Sequence, residues 1–231
     1  MSTTPRYDVY AGIHKALRLF MSRTLCTLGS TDPANPHELD AALDLLQRLL
    51  ALCELHLKDE NEFIHPALER AKPGTSARIA GEHEHHAEAI AALWAQRDAL
   101  RQAAPEARAT ALTRLYRELA LFVADNFQHM EFEEREHNAI LWAHYSDAEL
   151  SAIEQALVAS IPPEAMMEAL HWFIPALNAS ERVGMLGGMQ QGMPAPVFEG
   201  VLQIAERTLA PQAHAELLRA LGRGEPQRLA A

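Results

Sequence analysis

The stretch LQRLLALCELHLKDENEFIHPA, residues 46–67, decides the fold. Its apolar positions Leu46, Leu49, Cys53, Phe63 and Ala67 recur every three or four residues, the period of an α-helix with one buried face. His56 and Glu60 fall in phase with them. An imidazole and a carboxylate thus enter an apolar face, where an unpaired charge is strongly disfavoured and both groups need partners. The pattern returns further along, where Leu112, Leu115, Leu119, Phe122, Asn126, His129, Glu133, His137 and Ile140 share one face.

Outward from these two stretches the chain reads as all-α. Alanine, leucine, glutamate and arginine dominate, β-branched residues are sparse, and strand-like alternation is missing. A first helix is expected from about Tyr7 to Leu28, with Tyr10, His14, Leu17, Met21, Leu25 and Leu28 in one stripe. Asn35-Pro36 opens the second helix as a cap followed by a first-turn proline, and Lys72-Pro73-Gly74 closes it. Thr75 or Ser76 would cap the third, whose inward positions are Ile79, His83, His86, Ile90, Leu93 and Leu100. Ala104-Pro105 precedes the fourth, which ends near His144 and Tyr145. Four long helices with short connections imply an up-down-up-down antiparallel four-helix bundle over residues 1–145. Residues 146–231 break into shorter helices at proline and glycine and read as a C-terminal helical extension.

The 231 residues carry a formal charge of -11, which repels phosphate backbones and anionic membrane surfaces, so neither nucleic acid nor membrane is expected as a partner. Two cysteines, Cys26 and Cys53, exclude a disulfide framework and a thiolate zinc site; both read as core residues. With no secretory leader and no long uninterrupted apolar run, a cytoplasmic protein is expected. Histidine is the composition's outlier: there are twelve, nine of them between His14 and His137.

The spacing gives those histidines a use. Residues i and i+4 lie about 6 Å apart on one face of a helix, so His56/Glu60 and His129/Glu133 each aim two donors at one point. A glutamate carboxylate can bridge two metals while each histidine caps one. With His14 and His83, all four helices contribute, and four nitrogens plus two carboxylates make a dinuclear site. Mixed imidazole and carboxylate ligation without thiolate suits iron or manganese and tolerates zinc. Iron is the first choice. Positions left open by six shared ligands would admit oxygen, nitric oxide or peroxide.

The segments Gly12-Ile-His14-Lys-Ala-Leu-Arg18, His56-Leu-Lys-Asp-Glu60, Glu82-His83 and His129-Met-Glu-Phe-Glu133-Glu134 resemble the hemerythrin-like (HHE cation-binding) family in order and interval, over about residues 7–145. The resemblance implies an up-down bundle around a non-haem di-iron centre bridged by Glu60 and Glu133, with His14, His56, His83 and His129 as terminal ligands. Oxygen carriers of the family place a second histidine four residues along the third helix, where this chain has Ala87. His86 or His137 would supply a seventh ligand, and the pattern is closer to sensing and iron-handling members. Glu131, Glu134 and Glu136 read as a solvated charge run, His85 and His37 as surface residues, and His65 as packing at the bundle end.

Two functions follow. In one, the protein binds or senses oxygen, nitric oxide or iron; in the other, it is an enzyme that reduces peroxide or nitric oxide or repairs iron-sulfur clusters. A ferritin-like carboxylate site built on Glu82-x-x-His85 and Glu134-x-x-His137 is disfavoured, because His85 and Glu134 fall off their inner faces. The sequence carries no signal for the oligomeric state.

Overall fold

A computed structural model describes residues 6–223, and every regular element among them is helical. The chain divides into two compact units, one running to Ile161 and the other beginning at Pro162.

In the first unit, α1 (Ala11–Ser30), α2 (Pro36–Asp59), α4 (Ala77–Arg101) and α5 (Pro105–Phe132) are the long elements. They touch in a ring: α1 meets α2, α2 meets α4, α4 meets α5, and α5 returns to α1. The ring closes on Leu17, Phe20 and Met21 of α1, Leu43, Leu46, Leu49 and Leu50 of α2, Ile79 of α4, and Leu115 and Leu119 of α5, all buried. Burial of each such side chain stabilises the fold by roughly 1.5–3 kcal/mol, so this apolar layer holds the helices in register.

The helix ends follow local chemistry. Asn35 Oδ1 accepts the His37 and Glu38 N–H groups and Pro36 takes the first turn, as expected for an N-cap. The first helix starts at Ala11 rather than at Tyr7, because Asp8 Oδ1 accepts the N–H groups of Tyr10 and Ala11 at 2.9 and 3.0 Å. Ser76 stands at the N-cap of α4, but its hydroxyl donates to Glu69 instead of capping. Glu69 does the work from outside the helix, accepting the N–H groups of Gly74 and Ser76.

The second and fourth rods of the bundle each contain a wide turn. Residues Glu60–Ile64 form a π-helical turn between α2 and α3 (His65–Ala71), and Glu133–His137 form another between α5 and α6 (Asn138–His144). Within the first, the His65 N–H bonds to the Glu60 carbonyl, and in the second the Asn138 N–H bonds to the Glu133 carbonyl. Pro66 comes one residue after the first turn; with no N–H to give, it suits a break in the α ladder. No proline accompanies the second.

Beyond these turns a second apolar cluster closes the end of the unit, built from Val9, Tyr10, Ile64, Ala67, Leu68, Leu141 and Leu150. Leu150 belongs to α7 (Asp147–Ser160), which starts with a reciprocal Ser146/Glu149 capping box. The Trp142 indole N–H donates to the Tyr7 carbonyl at 2.7 Å, and the Tyr145 hydroxyl to that of Ala67 at 2.9 Å.

The second unit comprises α8 (Pro163–Ala176), α9 (Ala179–Gly192), α10 (Ala195–Thr208) and α11 (Pro211–Ala220). Leu170, Ile174, Leu186, Phe198, Val201, Ile204 and Leu217 form its core, with Met166, Met167, Met185 and Met189 packed around it. Buried Arg182 donates to the Ile174 and Leu177 carbonyls at 2.8 and 2.7 Å, satisfying the end of α8.

Candidate metal centre

His14 lies in the first turn of α1, His56 in the last turn of α2, His83 early in α4 and His129 late in α5. Glu60 and Glu133 open the two π turns. All six side chains are buried, and they form two groups that share both carboxylates. One is His14, His56, Glu60 and Glu133; the other is Glu60, His83, His129 and Glu133. Within each group the donor atoms lie within 4.8 Å of one another.

Each carboxylate divides its oxygens between the groups. Glu60 Oε1 lies 3.4 Å from His56 Nε2 and 3.8 Å from His14 Nε2, while Oε2 lies 3.3 Å from His83 Nε2. Glu133 Oε2 lies 3.4 Å from His14 Nε2, and Oε1 lies 3.4 and 4.0 Å from His129 and His83 Nε2. Both carboxylates therefore span two positions, each of which offers two imidazole nitrogens and two carboxylate oxygens.

The donor atoms themselves lack other employment. Nε2 of His14 and His56 and both oxygens of Glu60 and Glu133 are buried with no hydrogen-bond partner. His83 and His129 turn their Nε2 atoms on each other at 3.2 Å. Orphaned polar atoms in a core cost about 1–3 kcal/mol each, and cations bound by nitrogen and oxygen donors are what this set fits.

The far sides of three imidazoles are anchored, an arrangement of the kind that orients a histidine toward a metal. His14 Nδ1 meets Glu134 Oε1 at 3.0 Å, and Arg18 grips both oxygens of that carboxylate. His83 Nδ1 meets Asn61 Oδ1 at 2.9 Å. His129 Nδ1 meets Glu82 Oε2 at 2.9 Å, and Arg78 holds the other oxygen of Glu82. Glu134, expected as wet surface, thus supports the site. The signal for it was Arg18, one turn after His14 on the same helix face.

Electrostatics follow from these pairs. Burial pushes the His14 pKa down, but the neighbouring carboxylates of Glu133, Glu134 and Glu60 outweigh it and hold the imidazole charged, well above 6.5. Burial likewise opposes charge on His129, yet Glu133 and Glu82 raise it to about 9. For His56 burial prevails and lowers the pKa to about 4. Burial raises both shared carboxylates, and Glu60 adds to the rise at Glu133, but the histidines win. Glu60 ends well below 4.5 and Glu133 at about 2.

The hemerythrin HHE cation-binding domain model matches residues 6–140, which span the ring of helices and both groups of donors. The chain belongs to the hemerythrin HHE cation-binding family. No curated protein and no solved structure matches the chain.

Other histidines of the HHE domain stand at defined distances from the two groups. His86 is buried with its ring 4.7 Å from that of His129, but belongs to neither group. Its Nε2 pairs with Asp125 at 2.9 Å and its Nδ1 has no partner. His137 is fully buried beside Tyr10. His65, expected to pack at the bundle end, instead stacks on His83 with ring centroids 4.9 Å apart. His85 and His37 are exposed, as expected. Cys53 is buried, and its thiol is pushed far up by burial and by Glu54. Cys26 is exposed rather than in the core. Trp94 lies off the site, its indole N–H donating to Glu54 at 2.9 Å. A surface groove lined by Arg78, Glu82, His85 and Asp125 reaches His129.

Proposed function

We propose that this protein holds two non-haem iron ions and uses them to bind or sense a small diatomic ligand, nitric oxide or oxygen, or iron itself. The observation that carries the reading is the sharing of Glu60 and Glu133 between two donor groups, with both oxygens of each carboxylate and Nε2 of His14 and His56 buried without a hydrogen-bond partner. His14 and His56 would serve one ion, and His83 and His129 the other. His86 would join through Nδ1, since Asp125 occupies its Nε2. Bound iron supplies an open coordination position and reversible one-electron chemistry. The protein supplies fixed imidazoles, two ionised carboxylates and a buried setting. Donors of this kind also fit manganese, and zinc with fewer of them.

The same reading takes the bundle as up-down-up-down. His14 near the start of α1 meets residues at the ends of α2 and α5, as antiparallel neighbours would, and the connections at residues 31–35, 72–76 and 102–104 are short. Residues 1–145 would form the metal-binding bundle and 146–231 a helical extension, residues 1–5 and 224–231 lying outside the described ones; its first helix, α7, packs on the bundle. Among the described residues no helix is long and apolar enough to cross a membrane.

Metal analysis of purified protein tests the proposal. Two iron ions per chain are expected, and His56→Ala or Glu133→Ala removes them while the helical circular-dichroism signal persists. Wild-type protein that takes up no metal under anaerobic iron(II) would refute it. Spectra recorded with azide and then with peroxide separate the roles: a stable adduct marks a binding protein, and turnover marks an enzyme.

A further inference from the structure

Three rings form an arc from one donor group to the other. Tyr10 lies 5.2 Å from the His14 ring, His137 lies 6.3 Å from Tyr10, His65 lies 6.2 Å from His137, and His65 lies 4.9 Å from His83. The arc therefore begins beside a member of the first group and ends against a member of the second. Tyr10 comes from the segment before α1, His65 closes the first π turn and His137 the second.

The polar atoms of this arc are incompletely used. His65 is 7% exposed and His137 0%, yet Nε2 of each is buried without a hydrogen-bond partner. The protein offers both imidazoles nothing on that side, although leaving a buried donor or acceptor unsatisfied costs about 1–3 kcal/mol. Neither residue belongs to a group whose donor atoms all lie within 4.8 Å of one another, and each group already has four donors. Both imidazoles nonetheless feel the charges of Glu60 and Glu133.

The Tyr10 hydroxyl fixes the tautomer of its neighbour. It is fully buried, and its hydrogen-bond contact is His137 Nδ1 at 3.1 Å. A phenol in such a core must donate its proton, which makes Nδ1 the acceptor and leaves the ring proton on Nε2. His137 Nε2 is then a donor aimed away from Tyr10 with nothing to receive it.

We propose that Tyr10, His65 and His137 form a hydrogen-bonding wall for a small lone-pair-bearing anion of the azide or peroxide type, held against the metal centre by Nε2 of the two histidines. The inference rests on the metal-binding reading above. It assigns these histidines to the incoming ligand and not to the metals. The first π turn explains how His65 comes to face that ligand, while His137, four residues after Glu133, already falls on that carboxylate's face by helical spacing. A bond from residue i to i+5 sets His65 over Glu60, where an unbroken α-helix would carry it to another face.

The test uses the full chain loaded with iron, with azide titrated by visible absorption. Wild type, His65→Leu, His137→Leu, His137→Gln and Tyr10→Phe are compared for metal content and azide affinity. Every variant is expected to hold two iron ions per chain. Azide binding weakens about tenfold in each leucine variant, as loss of one hydrogen bond to an anion requires, and recovers largely in His137→Gln, which restores an N–H near the Nε2 position. Tyr10→Phe keeps the volume and frees the tautomer, and is expected to weaken azide by a few-fold. Loss of iron from His65→Leu or His137→Leu would make these residues ligands and overturn the proposal. Full loading with unchanged azide affinity would overturn it as well. If one leucine variant fails to fold, the other leucine variant and Tyr10→Phe decide the question through the same two readings. Failure of wild type to load iron is a different result and sinks the metal-binding reading itself.

Discussion

Loading the site with metal must expel protons, and the number can be worked out from the metal-free geometry. At pH 7 the core holds two ionised carboxylates, Glu60 well below 4.5 and Glu133 at about 2, opposed by two imidazoliums, His14 well above 6.5 and His129 at about 9. His56 is neutral, since burial lowers it to about 4. The charges of these four groups therefore cancel one another. A metal needs the imidazole lone pair, so two protons, one from His14 and one from His129, leave on loading. Titration calorimetry in buffers of differing ionisation enthalpy reads this number directly as a slope, expected to be about two per chain at pH 7. The product of the two apparent association constants should then rise about 100-fold per pH unit around neutrality, and more slowly above about 9, where His129 has already lost its proton. Stability of the metal-free fold runs the other way. The raised His129 contributes below its ordinary 6.5 and its contribution is lost as pH rises through about 9. The depressed Glu133 contributes above 4.5 and its contribution is lost as pH falls through about 2. These groups favour the metal-free state most between those ordinary values, at mildly acidic pH. A slope of zero, or metal affinity independent of pH between 6 and 8 (a window of about one unit either side of neutrality), would refute the charge assignment.

The outer partners of the histidines are expected to matter nearly as much as the donors. Glu134→Gln or Arg18→Ala releases His14 Nδ1 from its anchor and should weaken metal binding about 10–100-fold by chelator competition, with the helical signal unchanged. Glu131→Gln, an exposed neighbour, is the control and should change nothing. In the second unit, Phe198→Ala removes a fully buried ring from the core and should cost about 3–5 kcal/mol in denaturant unfolding of that unit, while iron stoichiometry stays at wild-type level.

The six residues that form the two donor groups were legible because helical periodicity alone reports which face a side chain occupies. His14, His56, His83 and His129 fall in phase with Leu17, Leu49, Ile79 and Leu119, all buried. Their anchors were harder to see. Glu134 follows Glu133 directly and so points off the inner stripe, yet it reaches His14 across the α1–α5 contact with Arg18 beside it. Periodicity within one helix carries no information about a neighbour's side chain, so pairs that form between helices stay hidden until the helices are docked. Cys26 differs for another reason: an apolar residue type near an inward stripe is expected in the core, and the structure leaves it exposed.

The π turns mark where the periodic reading had to fail. A stripe is projected on the premise that each residue advances by a constant angle, and one wide turn breaks that premise for everything after it. Past Glu60 the projection sends His65 away from the site; the bond from His65 N–H to the Glu60 carbonyl brings it back, onto His83. Past Glu133 the same distortion leaves both His137 and Asn138 fully buried, although they are consecutive. Such turns give up regular hydrogen bonding, and each here begins at a carboxylate shared by the two donor groups. An uninterrupted α-helix offers one inward position per turn, enough for the His129, Glu133 and His137 series but not for a further polar side chain beside it. The widened turn admits such a residue on both rods, His65 on the first and Asn138 on the second. The same two irregularities therefore begin at the shared carboxylates and bury residues that a regular helix would turn away.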